Sequence, residues 1–295
     1  MRQEAYFCTV KELDELGKNN IPRQLISHTH LIYSSPATLA FNSPGAEGFG
    51  VKRAGLAVPD SVMLIVSPGC CGRNTSVLSS MRAYQDRFYY LLMDETDIVT
   101  GRHLKKIPKA VAEICEGLKK KPSVVMICIT CVDALLGTDM ERVCHKAEEY
   151  AGVPVRPCYM YALTREGRKP PMVHVRQSVY SLLEPKKKKG NVVNLLGYFS
   201  PLTDDCELYD LLHGAGVKTI HEISRCKDYA QYQTMSEANF NLVLHPEARF
   251  AAEDFHDRLK IPYIELRRLY QIDKIASQYR AFAAALGVEF EDEIP

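Results

Sequence analysis

Ser61-Val-Met-Leu-Ile-Val66 is an unbroken apolar run that empties into Ser67-Pro-Gly-Cys-Cys-Gly-Arg-Asn-Thr-Ser76. A strand without polar alternation is buried on both faces, the condition of a strand inside a parallel sheet. Ser123-Val-Val-Met-Ile-Cys-Ile129 and Val153-Pro-Val-Arg156 repeat the pattern, and Leu104 to Leu118 and Thr138 to Tyr150 have helical spacing between the later runs. Strand and helix alternating in this way predict βαβ units. A second series follows: strands at Asn191 to Leu196, Val217 to Ile220, Phe240 to Leu244 and Ile261 to Ile264, with helices at Cys206 to His213, Glu247 to Leu259 and Tyr270 to Leu286. The expected fold is α/β, with two doubly wound Rossmann-like domains on parallel sheets.

Between the series, Glu184-Pro-Lys-Lys-Lys-Lys-Gly190 loses apolar periodicity, so it is read as a solvated linker. The predicted organisation is an N-terminal extension over 1–30, a first domain over 31–184, a linker over 185–190, and a second domain with its C-terminal helix over 191–295. The 295 residues suit two such units. With 37 Lys and Arg against 36 Asp and Glu, there is no overall field to recruit nucleic acid or an anionic membrane. No run is long and apolar enough to span a bilayer, and the charged start lacks a leader pattern, so a cytoplasmic protein is expected. Ten cysteines in a reducing compartment are then buried, reactive or metal-bound rather than paired.

Ligands of open parallel sheets bind beyond the carboxyl ends of the strands, which singles out three loops. In the first, Gly69 and Gly72 flank Cys70 and Cys71, and glycines let the backbone approach a bulky group. Either cysteine alone reads equally as a small buried hydrophobe, but two between glycines fit a cluster-ligating loop. In the second, Cys128-Ile-Thr-Cys131 has metal or redox spacing; strand alternation sends Cys128 to the core and Cys131 to the loop. A thioredoxin-like motif is the alternative there. In the third, His245-Pro246 follows a strand, as a ligand, a proton donor or a turn-capping residue. Cys8, Cys115, Cys144, Cys158, Cys206 and Cys226 are isolated and read as core filling. Gly45-Ala-Glu-Gly48-Phe-Gly50 is a poor match to a dinucleotide loop, and hydrolase and Walker motifs are absent.

At these residues the sequence resembles the nitrogenase component 1 family, whose relatives include protochlorophyllide and chlorophyllide reductases and the nitrogenase cofactor scaffold. Pro68-Gly-Cys-Cys-Gly72 is similar to the first cluster loop, with Cys71 on the ligand position. Cys131-Val-Asp-Ala-Leu-Leu-Gly-Thr-Asp139 resembles the second, carrying Cys131 over as another ligand. Asp97-Ile-Val-Thr-Gly101, Asn194-Leu-Leu-Gly197, Asn241-Leu-Val243 and Ile261-Pro262 recur in the family's order.

The family's earliest ligand cysteine falls in Phe41-Asn-Ser-Pro-Gly-Ala46, so that ligand is either lost or replaced by Cys70, Asn42 or Ser43; its third Rossmann-like domain has no counterpart here. The resemblance implies an iron–sulfur cluster, a [4Fe-4S] shared by a homodimer or heterodimer or a larger P-cluster-like one, with Cys71 and Cys131 as ligands. It further implies an ATP-dependent iron protein as electron donor, and a substrate side lined by His245, Arg249, Tyr198 and Ser200, with His245 as proton donor. The leading expectation is a nitrogenase-like reductase subunit. Its alternatives are a non-catalytic metallocluster or tetrapyrrole scaffold, and a cysteine-rich α/β protein with zinc or no metal.

Overall fold

The computed structural model describes residues 9–20, 50–69, 84–129, 136–159 and 169–288. Among the described residues, eight strands form two four-stranded sheets, each wholly parallel. The first contains β1 (Val62–Ser67), β2 (Phe88–Leu92), β3 (Val125–Ile129) and β4 (Val155–Pro157) in the order β2-β1-β3-β4. The second contains β5 (Val192–Leu196), β6 (Thr219–His221), β7 (Phe240–Val243) and β8 (Tyr263–Glu265) in the order β6-β5-β7-β8. The doubly wound α/β expectation is met, and each half repeats one topology.

Helices pack both faces of each sheet. The helices of the described residues are α1 (Val10–Leu16), α2 (Val51–Gly55), α3 (Glu95–Thr100), α4 (His103–Gly117), α5 (Met140–Ala151), α6 (Pro171–Tyr180), α7 (Glu207–Gly214), α8 (Tyr229–Gln233), α9 (Arg249–Leu259) and α10 (Ile272–Leu286), α1 lying apart from both sheets. Outside the first sheet, Ile107, Val111, Met140, Cys144 and Ala147 of α4 and α5 cover Leu64, Val66 and Ile127. Outside the second, Leu208 and Leu212 of α7 and Phe282 of α10 cover Val193, Leu195 and Leu242. The inner faces share one core, in which Met63, Met126 and Cys128 join Leu196, Val243 and Phe255 through Val175, Val179 and Tyr180 of α6. The interiors of β1 and β3 are therefore apolar on both sides, as the unbroken runs predict.

Local chemistry sets the element ends. Asp94 and Asp97 form a reciprocal capping box at the start of α3, while Gly101 closes it in the left-handed region at φ 67°. Pro154 and Pro262 lack an N–H and so precede β4 and β8; their carbonyls accept from Val125 and Asn241, so the pairing starts later than the runs alone indicate. The sequence reading has no strand at Phe88–Leu92. It is an edge strand whose Tyr90 and Leu92 are exposed, so apolar residues sit on the solvent side and hide the alternation. The Lys-rich stretch is tied to the second sheet: Lys188 Nζ donates to the Ser236 carbonyl at 2.7 Å, and Lys189 pairs with Glu237.

Candidate functional site

In both sheets the winding reverses beside the first strand of the half, so the crevice lies beyond the carboxyl ends of β1 and β3 in one sheet and of β5 and β7 in the other. Val66 is opposite Ile129 in the first sheet, and Leu196 is opposite Val243 in the second. The loop carrying Cys70, Cys71 and Gly72 thus leaves one strand, and the loop carrying Cys131 leaves its direct neighbour. Cys70, Cys71, Gly72, Ser43 and Cys131 themselves lie outside the described residues. Gly69, the last described residue before Cys70, is exposed, and a Cβ built on it would meet nothing within 4 Å.

Ser67, the last residue of β1, is fully buried, and among the described residues its hydroxyl has no hydrogen-bond partner, while its carbonyl accepts from Met93 N at 3.0 Å. A buried hydroxyl left unmade costs about 1–3 kcal/mol, so a polar group beyond the strand end is the chemistry that suits it. The sequence reading passes over Ser67, although its place before Pro68 and the glycine–cysteine loop was the available signal.

Four of the six described cysteines are poor metal donors. Burial pushes the Cys128 thiol up to about 12 and that of Cys226 up to about 11; it also raises Cys115 and takes Cys158 well above the ordinary thiol value. Such thiols stay protonated, and the thiolate is what binds metal. Among the described residues no group of three or more His, Cys, Asp or Glu side chains is placed to hold a metal ion.

Beside the second loop, Ile98, Val99, His103, Lys105, Leu136, Arg142 and Lys146 enclose a cleft of about 660 Å³. Val99 is 85% exposed and Leu136 45%, so apolar surface faces solvent where the Cys131 loop rejoins the described chain.

The second crevice is better defined. Tyr198, Leu244, His245, Pro246, Arg249, Glu265, Arg267 and Arg268 line a cleft of about 430 Å³. Its floor depends on Gly197, held at φ 138°, where an added Cβ would lie 2.7 Å from the backbone nitrogen of His245. Beneath it, buried Arg176 of α6 donates from Nε and Nη2 to the Gly197 carbonyl at 3.0 and 2.7 Å. It also donates from Nη1 to the Met172 carbonyl at 2.9 Å and to Glu247 Oε2 at 2.6 Å. Glu247 N donates to His245 Nδ1 at 3.3 Å, and the Glu247 carboxylate lies 3.6 Å from the same nitrogen. The Tyr198 ring meets His245 edge-on at 5.7 Å.

Arg249 forms a fork with Glu265, with Nη2 at 2.9 and 2.6 Å from its two oxygens, and this pairing raises the pKa of Arg249. Of the residues assigned to the substrate side, the fold brings Tyr198, His245 and Arg249 together, whereas Ser200 is exposed and is not among the lining residues. Arg176, Glu247, Glu265, Arg267 and Arg268 escaped the sequence reading. The Arg267-Arg268 pair just past a strand end was the one local signal.

The sequence profile described as nitrogenase component 1 type oxidoreductase matches residues 47–295. The chain belongs to that family. Among component 1 family members it is similar to the nitrogenase iron-molybdenum cofactor biosynthesis protein NifE of Nostoc sp. strain PCC 7120, at 27% identity over 239 residues, covering 78% of this chain and 49% of that protein. The Klebsiella pneumoniae protein of the same name is 26% identical over 266 residues, covering 83% and 58% respectively. The chain thus spans about half the length of the curated relatives it matches. The solved structure titled "Nitrogenase Cp1 at pH 6.5" aligns with a TM-score of 0.60 at 18% identity, over 83% of this chain and 58% of that one, which shows a shared fold. No helix among the described residues is long and apolar enough to cross a membrane.

Proposed function

We propose that this component 1 family member is an assembly scaffold that carries a metallocluster or tetrapyrrole intermediate in its second crevice, beside an iron–sulfur cluster held by Cys71 and Cys131. The observation that carries the reading is the adjacency of β1 and β3, which starts both cysteine loops from neighbouring strand ends. The names of the similar proteins, which are cofactor biosynthesis proteins, favour a scaffold over the electron-transferring reductase that the sequence first suggests.

Two thiolates per chain suit a [4Fe-4S] cluster completed by a second subunit, identical or paralogous, across a twofold axis. The raised thiols of Cys115, Cys128, Cys158 and Cys226 make those four poor thiolate donors, and the unpaired Ser67 hydroxyl suits a neighbouring sulfur acceptor. A cluster bound there would store and pass single electrons. Cys70, Gly69, Gly72 and Ser43 would shape its surroundings. Val99 and Leu136 give an ATP-dependent iron protein an apolar contact beside the Cys131 loop. The organisation proposed is a cytoplasmic two-domain protein, 31–184 and 191–295 around the 185–190 linker. His245 faces the carried molecule as its ligand or proton donor.

Iron and acid-labile sulfide per chain, measured on protein purified without oxygen, test this directly. About two irons per chain with a band near 400 nm that bleaches in dithionite is the expected result. Cys71→Ala and Cys131→Ala each abolish cluster retention, Cys115→Ala does not, and His245→Ala leaves the iron in place. A chain that stays iron-free after reconstitution overturns the cluster. Steady turnover of a substrate with an iron protein returns the reading to a reductase subunit.

A further inference from the structure

We propose that the cleft beyond β5, β7 and β8 recognises a small organic or phosphorylated polyanion through Arg267 and Arg268, rather than a cluster held by thiolate. The proposal rests on reading this cleft as the place of the carried molecule. Among the described residues its lining contains three guanidinium groups, one carboxylate and no thiol. The single carboxylate, Glu265, is engaged by Arg249 in the fork and lies 3.8 Å from Arg267 Nε. Arg268 has no carboxylate within ion-pair distance among the described residues; its Nη2 donates to the Tyr198 hydroxyl at 3.3 Å. That leaves an excess of positive charge in a concave site, and planar guanidinium forks match carboxylate and phosphate oxygens.

The cations are also held in place. Gln278 of α10 accepts from Arg267 N at 2.8 Å and donates to the Arg267 carbonyl at 3.0 Å, fixing the backbone that presents both arginines. The Arg249–Glu265 fork makes a rigid wall opposite, so the side chains surrounding a ligand need little ordering. Tyr198, Leu244 and Pro246 supply an apolar side against the ligand's carbon skeleton or a planar ring. The cleft, at about 430 Å³, is large enough for a ligand of several oxyanion groups.

The test is calorimetric titration of the full chain with tricarballylate, pyrophosphate and, as a singly charged control, acetate, at low and moderate salt. One saturable site per chain for tricarballylate or pyrophosphate, with acetate far weaker, is the expected result. Arg268→Gln and Arg267→Gln each weaken it about tenfold, in line with loss of a charge-assisted hydrogen bond. Both side chains are exposed, so unchanged far-UV circular dichroism confirms the fold of each variant. Preference for tricarballylate identifies carboxylates as the recognised group, and preference for pyrophosphate identifies phosphates; either supports the proposal. Absence of saturable binding, or equal binding by the wild type and both variants, overturns it. Iron and sulfide content in the same preparations reads the cysteine loops independently, so failure here is distinguishable from failure of the scaffold reading.

Discussion

Replacing Arg176 by Met keeps the length and packing of the side-chain stem while deleting the charge that ties α6 to the second crevice. In the native protein the guanidinium satisfies the Gly197 and Met172 carbonyls, pairs with Glu247, and lies 4.9 Å from the Phe199 ring. With Arg176 side chain 2% exposed and Glu247 14%, water cannot replace the lost partner. Breaking one half of a buried pair costs about 3–5 kcal/mol, and the stranded Gly197 carbonyl falls within the same range rather than adding fully to it. A loss of about 4 kcal/mol, divided by a urea slope of about 3 kcal/mol/M, lowers the unfolding midpoint by more than 1 M.

The chain has 16 tyrosines and no tryptophan, so tyrosine fluorescence and far-UV circular dichroism are the appropriate probes. Glu247→Leu added to Arg176→Met removes the unpaired charge, so the double variant recovers at least 1 kcal/mol relative to the sum of the singles. A single-variant loss below about 1 kcal/mol, or strictly additive losses, would refute the assignment of Arg176 as a buried clamp.

Gly197→Ala forces a Cβ to within 2.7 Å of His245 N at a φ of 138°, so a loss of about 1–3 kcal/mol is expected, with a lower melting temperature and weakened binding in the cleft. Lys106 above all, with Asp94 and Arg102, lowers the pKa of buried Asp97. Its contribution is present above the unfolded carboxylate value of about 4 and disappears as pH falls through the lower folded value, so wild type and Asp97→Asn differ most at neutral pH and converge in acid. Burial lowers the His221 pKa, so the folded state binds its proton less readily than the unfolded chain. Stability then falls as pH drops below about 6.5, and His221→Gln flattens that part of the urea-midpoint profile. Cys128, fully buried with its thiol at about 12, resists iodoacetamide at pH 8 in the folded protein and reacts after denaturation; rapid native labelling would contradict its place in the core.

Unbroken runs such as Val62 to Val66 and Val125 to Ile129 made the parallel α/β fold legible, because burial on both faces leaves its mark on each strand separately. Turn chemistry did the same for the placing of His245 just after the Asn241 to Val243 strand. Half-exposed Phe88 to Leu92 was not legible, since an edge strand's pattern depends on what covers it. Neither was the buried clamp: Arg176 looks like an ordinary helical cation until α6 is packed between two sheets and its head meets a carbonyl 21 residues away.

Taken by itself, the sequence determined the buried strands of both sheets and the longer helices, and that cysteines and a histidine follow strand ends, because period and turn chemistry act within a few residues. Which strand ends are neighbours, and which charges converge on one cleft, only the tertiary structure decided. Adjacency of β1 to β3 and of β5 to β7, like the meeting of Arg249, Arg267 and Arg268 with Tyr198, arises from how the crossovers wind and which faces they bury, and no local pattern encodes that.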